Sequence, residues 1–321
     1  MTLRWMCAVA VCVLNCNAMA ADQGYPARPI RLISPFTPGG GNDLVSRSVA
    51  LAMSKNIGQS IVVDNRPGAN TIVGMELVAK AAPDGYTLIM TSSTQAINAT
   101  LYPKLPYDSI KSFAPVTLVG SSPLIIAVPV SSPIKSVTEL IAAARAKPGE
   151  LAYPSAGTGN ATHLGGELFA SMAGVTLTHV PYKGSGPGLT DLSAGRLAVC
   201  FSTALSVVPF MKSGRLRAIA VTSSARSSFV PDLPTVAESG LPGYEASTWY
   251  GVIAPAGTPR AIVTRLHSEI VKVLTLPEVR DRLSAQGIDP VGNTPEQFAA
   301  YIKSEIVKWA KIMKATGVTA E

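Results

Sequence analysis

Cysteine is scarce in this chain, and most of it sits at one end. Three of the four cysteines, Cys7, Cys12 and Cys16, lie at the N-terminus, leaving Cys200 for the body of the chain. That leaves no internal disulfide and no cysteine metal site. Cys200 stands in the apolar run Leu197–Phe201 and is expected to be a small buried hydrophobe rather than a nucleophile. Histidine is equally sparse. His163, His179 and His267 have no partner at ligand spacing, and H-E-x-x-H is absent, so no metal is expected. No stretch after the N-terminus is long and apolar enough to span a bilayer. Nucleotide loops are missing too. Gly39-Gly40-Gly41 is followed by Asn42-Asp43-Leu44, which is neither Gly-Lys-Ser/Thr nor G-x-G-x-x-G. The Lys183-Gly184-Ser185-Gly186 turn fails the hydrolase G-x-S-x-G elbow, because lysine stands at its first position. Acidic residues are fewer than basic ones, for a net charge of +7. The basic residues are scattered and never interleaved with aromatics, which argues against a nucleic-acid face.

Residues 1–20 carry the pattern of a secretory signal peptide. Arg4 gives a positive start, Trp5–Leu14 is a short apolar run, and Ala18-Met19-Ala20 is a small-x-small cleavage site. A lipoprotein reading of Val13-Leu14-Asn15-Cys16 meets asparagine where a small residue is expected. The remaining chain is expected to be exported, and its length suits two domains built without staples.

The stretch Arg31–Arg47 organises the rest. Leu32 and Ile33 end a short strand, Pro35 and Pro38 shape a turn, three glycines follow, and Leu44, Val45, Val49, Ala52 and Met53 recur at helical spacing. A glycine turn feeding a helix start offers unpaired N–H groups and a positive dipole end. It therefore suits a small anion such as a carboxylate, or it is a tight connection with no ligand. A second turn repeats the logic: strand Leu151–Tyr153, turn Ser155-Ala-Gly-Thr-Gly-Asn160, then a helix over about 161–173. Its backbone N–H groups, Thr158 and Asn160 could all bond an acid, whereas His163 is expected to be a structural hydrogen-bonder. Lys183 could approach an acid's charge or be a solvated turn lysine.

Around these turns strand and helix alternate. Strands are expected at 61–63, 86–90, 177–182, 198–201, 216–221 and 248–254. Helices are expected at 72–82, 136–146, from Pro187 to about 195, at 259–275 and 277–286, and from Thr294. Ser136-x-x-Glu139 and Thr294-x-x-Gln297 read as capping boxes. Residues 91–94 read as a polar loop, and the proline-rich stretch 98–135 as short runs crossing between domains. The aromatics of the last helix, Phe298, Tyr301 and Trp309, read as core. This alternation predicts an α/β fold with a mainly parallel sheet and ligand sites at the carboxyl ends of strands.

Several blocks, in this order, resemble one family. They are Pro35–Asp43, Asn65–Ala69, Ala82–Leu88, Tyr153–Asn160, Val180–Gly184, Pro242–Glu245, Trp249–Gly251 and Ala254–Pro259. The chain is similar over nearly its whole exported length to the periplasmic solute receptors of tripartite tricarboxylate transporters, the Bug family. The resemblance implies a two-lobed type II periplasmic-binding-protein fold, each lobe a mainly parallel sheet flanked by helices, with a carboxylated solute between the lobes. The solute would be held by backbone groups, hydroxyls and bridging waters. Lobe 1 would comprise 21–120 and 224–321, and lobe 2 would comprise 121–223. Carried over by position, the first-lobe contacts are Phe36, Thr37, Pro38, Gly39, Gly40, Gly41 and Asp43, the last of which could instead cap its helix. Ser92 and Thr94 face the cleft from the same lobe. The second-lobe contacts are Ser155, Gly157, Thr158, Gly159 and Asn160, with Tyr182, Lys183 and Gly184 nearby. Asn70-Thr71-Ile72 replaces part of a glycine-rich turn common in the family, and Ser202 and Thr203 supply no counter-charge for an amino-acid ammonium.

The expected function is an extracytoplasmic receptor that passes its solute to membrane transporter subunits. It would be a monomer, with no catalytic residues, cofactor or nucleic acid. The alternatives are a sensor receptor signalling through a membrane kinase, and a hydrolase or lyase using Ser155, Thr158 or His163. The last lacks a visible nucleophile–base–acid set.

Overall fold

The computed structural model describes residues 24–39, 41–182, 184–227 and 229–319. The signal-peptide segment, Gly40 and Lys183 lie outside the described residues.

The chain opens with β1 (Ile30–Ser34), α1 (Gly41–Ile57), β2 (Ile61–Asn65), α2 (Ile72–Ala79), β3 (Thr87–Ser92) and α3 (Ser93–Leu101). Ile30, Leu32 and Ile33 are buried on both faces of β1, as a strand between two helical layers must be. β1 pairs in parallel with β2 and β3. The stretch expected as a loop at 91–94 is the end of β3 running directly into α3, whose N-cap is Ser92. Hydroxyl residues at a strand end favour a loop and a helix start equally, and here they serve the helix.

A 17-residue strand, β4 (Phe113–Pro129), then crosses the molecule. This corrects the reading of 98–135 as broken runs. Pro115 sits at a register shift, Pro123 where the strand changes partners, and Pro129 at the strand's end, the places a ladder tolerates proline. Residues 113–123 pair with β9, and 124–129 pair with β7 and β8.

The second lobe follows: α4 (Val137–Ala146), β5 (Ala152–Ser155), α5 (Ala161–Ala173), β6 (Thr178–Pro181), α6 (Ser185–Ser193), β7 (Cys200–Thr203), α7 (Ala204–Lys212) and β8 (Leu216–Val221). α6 starts two residues earlier than expected, so Pro187 is its third residue, still in the turn where a missing N–H costs nothing. The chain returns through β9 (Ser247–Pro255), α8 (Arg260–Thr275), α9 (Pro277–Ser284), β10 (Asp289–Pro290) and α10 (Pro295–Thr316). α10 opens with the complete Thr294–Gln297 capping box.

The fold is α/β and two-lobed, with β5 parallel to β6 in the second lobe. Antiparallel pairing enters where β9 and β4 pass between the lobes. Each lobe has helices on both sides of its sheet. In the first, α1, α8 and α9 cover one face, while α2, α3 and α10 cover the other, where Trp249, Phe298 and Trp309 are fully buried. In the second, α4 and α5 cover one face and α6 and α7 the other. Val236, Leu241, Tyr244 and Ala246 pack in the second-lobe core beside Leu124 and Phe201. We therefore place the return crossing at Ala246–Ser247 rather than at 224, because the apolar side chains of 236–246 are buried by the second lobe. Cys200 is buried and unpaired, and burial pushes its thiol pKa up to about 12.

Candidate functional site

A cleft of about 570 Å³ opens between the lobes. Helix starts supply much of its wall. Gly41, Asn42 and Leu44 come from α1; Ser92, Ser93 and Thr94 from α3; Asn160, Ala161 and Thr162 from α5; Gly184, Ser185 and Gly186 from α6; and Thr203, Leu205 and Ser206 from α7. Thr248 and Tyr250 line it from β9. No charged side chain lines the cleft among the described residues. No side chain caps α6 or α7, so their first N–H groups remain available. One helix end contributes about 0.3–1 kcal/mol toward a nearby anion at an exposed site. Five ends on one cleft thus rival a surface ion pair, worth about 0.2–1 kcal/mol, without any cation.

Buried side chains hold the first turn in shape. Asn42 accepts from Ser34 Oγ at 2.9 Å and donates to the Met90 carbonyl at 2.9 Å, which ties α1 to the ends of β1 and β3. Asp43 accepts from the Gly39 N–H (2.9 Å), Arg47 Nε (2.9 Å) and Asn65 Nδ2 (2.8 Å). Burial opposes its ionisation, but the bonds from Arg47, Gly39 and Asn65 outweigh it and hold the carboxyl below the usual range. Asp43 is 2 % exposed and does not line the cleft. Its three bonds brace the turn.

The second turn is braced in the same manner. Asn160 caps α5 by accepting from the Thr162 N–H at 3.0 Å, and Thr162 Oγ1 accepts from the Ala156 N–H at 2.9 Å. Ser155 Oγ lies 2.6 Å from His179 Nε2 and accepts from the Gly157 N–H at 3.1 Å. The His163 and His179 rings stack with centroids 3.7 Å apart. Burial and the neighbouring His179 lower the His163 pKa to about 4, and burial lowers that of His179 to about 4. Tyr182 turns its hydroxyl to Asp191 at 2.7 Å.

Of the residues expected from sequence, the structure brings Phe36, Thr37, Pro38, Gly39, Gly41, Ser92, Thr94, Asn160 and Gly184 to the cleft. Asp43, Ser155, Gly157, Thr158, Gly159 and Tyr182 do not line it. Asp43, Ser155 and Gly159 are buried, whereas Gly157, Thr158 and Tyr182 are half-buried beside the cleft. The Asn70–Ile72 segment does not line it either, since Asn70 and Asn98 bond each other at 2.9 and 2.7 Å. Sequence reasoning missed Thr248, Tyr250, Leu205, Ser206 and Pro209. The hydroxyls at 202–203 were the only signal that α7 begins there. For the hydrolase reading, Ser155 is 2 % exposed and its hydroxyl is committed to His179 and Gly157.

A family profile described as "Tripartite tricarboxylate transporter family receptor" matches residues 45–318. The chain belongs to that family. Protein BugT of Bordetella pertussis is 40% identical over 295 residues, covering 91% of this chain and 90% of BugT. Among solved structures, "R. palustris Rpa4515 with adipate" superposes with a TM-score of 0.87 at 38% identity, over 92% of this chain and 99% of that one. MatC (Rpa3494) from Rhodopseudomonas palustris with bound malate superposes with a TM-score of 0.81 at 32% identity, over 90% and 99%. The family is one of transporter receptors. The two-lobed architecture expected from the resemblance is the one observed.

Proposed function

We propose that this receptor captures a small carboxylic acid in the interlobe cleft and presents it to the membrane subunits of a tripartite tricarboxylate-type transporter. The observation that carries the reading is the meeting of five helix starts on one cleft with no charged side chain in its described lining. Such a site recognises an anion through backbone N–H groups and hydroxyls. Its described lining offers no carboxylate as counter-charge to an ammonium, so a carboxylate without a free amine fits better than an amino acid. The structural neighbours that carry adipate and malate support the same class. The protein works in the periplasm as a monomer after cleavage behind Ala20, and its closed, solute-bound form is the one the transporter subunits engage.

The test is a thermal-shift screen of the mature protein against small carboxylic acids and their amides. A ligand of the folded state raises the melting temperature by mass action. A rise with an acid that is lost in its amide supports the reading. A rise with neutral solutes and with none of the acids sinks it.

A further inference from the structure

We infer that the Tyr250 hydroxyl is a direct solute contact, which forms with the first residue of α1 the seat for one carboxylate oxygen. The inference rests on the carboxylate reading above and adds a residue to it.

Tyr250 belongs to β9, where its backbone pairs with Ser92 on one side and Gly120 on the other. Its ring packs in the first-lobe core and the residue is 5 % exposed, yet it lines the cleft. The hydroxyl makes no hydrogen bond to a described residue, and it opens onto the cleft rather than being sealed in the core. Tyr153 and Tyr244, equally deep, show the usual arrangement and bond Glu167 and the Gly165 carbonyl. A hydroxyl held at the cleft wall without a protein partner is left to bond water or a solute. Burial alone pushes the phenol pKa up to about 12, so the group stays a neutral donor at working pH.

Its position favours the solute. A Cβ placed on Gly41 would lie 2.8 Å from the Tyr250 hydroxyl oxygen and 3.2 Å from Leu205 Cδ2. Glycine at 41 therefore lets the start of α1 come close to a phenol from the first lobe and an apolar side chain from the second, and a side chain there would cover the phenol oxygen. As the first residue of α1, Gly41 has an N–H without an intrahelical acceptor. A carboxylate oxygen beside that N–H and the phenol accepts from both donors, with Leu205 covering it against water. The phenol bond is then charge-assisted and stronger than one to a neutral group.

The test is calorimetric titration of wild type and Tyr250→Phe, starting with adipate and using the acid that shifts melting most in the screen above. Removing a hydrogen bond to a charged group should weaken acid binding about ten- to a hundredfold. The melting temperature without solute should not fall, because the lost hydroxyl has no protein partner. A variant that binds within twofold of wild type overturns the inference and leaves the carboxylate reading standing. Wild type that binds neutral solutes but no acid overturns the reading itself. A second measurement needs no variant. In wild type labelled with carbon-13 at tyrosine Cζ, saturation with the acid should shift one tyrosine resonance, and saturation that shifts none overturns the inference.

Discussion

Gly159 donates its N–H to Nδ1 of His163 at 3.1 Å, and that bond fixes the imidazole tautomer. The proton then sits on Nε2, which faces Glu167 Oε1 at 3.7 Å. His179, stacked on the same ring, meets Ser155 at the other end of the turn. The second-lobe turn is thus held at both ends by one pair of neutral histidines.

Stability should therefore depend on pH in a defined window. The folded-state pKa of both histidines is lowered from 6.5 to about 4. Between those values the unfolded chain binds protons that the folded one does not, so stability falls as pH falls from about 6.5 to about 4. Below that range these two groups add no further loss. Melting temperatures from pH 7.5 to 4 should show the decline, and His163→Gln, which cannot titrate, should make it shallower. An unchanged slope in that variant would show that the imidazole does not carry the effect.

Asp43 should matter for shape, not contact. In Asp43→Ala the Gly39 N–H, Arg47 and Asn65 lose a shared, almost fully buried acceptor. A stability loss of about 1–3 kcal/mol is expected, with weaker solute binding as the first turn relaxes. Denaturant unfolding and titration calorimetry measure the two effects. Weaker binding with no loss of stability would contradict the bracing role and favour direct contact.

Gly159 should tolerate no side chain. It has φ +72, and a Cβ there would run into Leu101 of the first lobe. Gly159→Ala is expected to hold the lobes apart and to weaken solute binding at least tenfold. Adding Leu101→Ala should restore part of that affinity, because it removes the collision and leaves only the backbone strain. No recovery in the double variant would mean that the strain alone is responsible.

Glu305 is 3 % exposed and accepts from the indole N–H groups of Trp249 and Trp309, each at 3.0 Å, with Lys308 Nζ at 3.2 Å. Glu305→Ala leaves two buried donors unpaired and should cost about 2–4 kcal/mol. Glu305→Gln keeps an acceptor oxygen and should cost less. Tryptophan fluorescence during urea unfolding reports both, and equal losses in the two variants would place the effect in packing rather than in these bonds.

The sequence announced its helices best where their ends carried chemistry. The box at Thr294–Gln297 and the cap at Asn160 each name a start because side-chain geometry is local. β4 and α7 were hidden by proline, which breaks a pattern in the sequence without breaking the element when it falls at a register shift or inside a short helix. The two glycine turns were legible as connections into helices, and both contribute residues to the cleft wall. Asp43, Ser155 and Tyr182, which do not line the cleft, were not separable from lining residues, since polar residues beside a turn look alike until the direction of each side chain is known. Tyr250 was beyond reach for a different reason. Whether a residue of β9 meets the start of α1 depends on a pairing 158 residues distant from β3.

Because β4 and β9 close the first lobe's sheet around an inserted second lobe, the two halves complete themselves at different moments. Residues 124–246 form one uninterrupted run whose strand pairings, such as Ile125 with Val221, span fewer residues than the first lobe's pairing of Ser92 with Tyr250. The first lobe must wait for β9 and α10 to come back to β3 and α3 across that insertion. Contacts of low sequence separation form faster, so the second lobe should gain protection from hydrogen exchange first during refolding. A chain stopped before β9 should keep that lobe and leave the first with an open sheet edge.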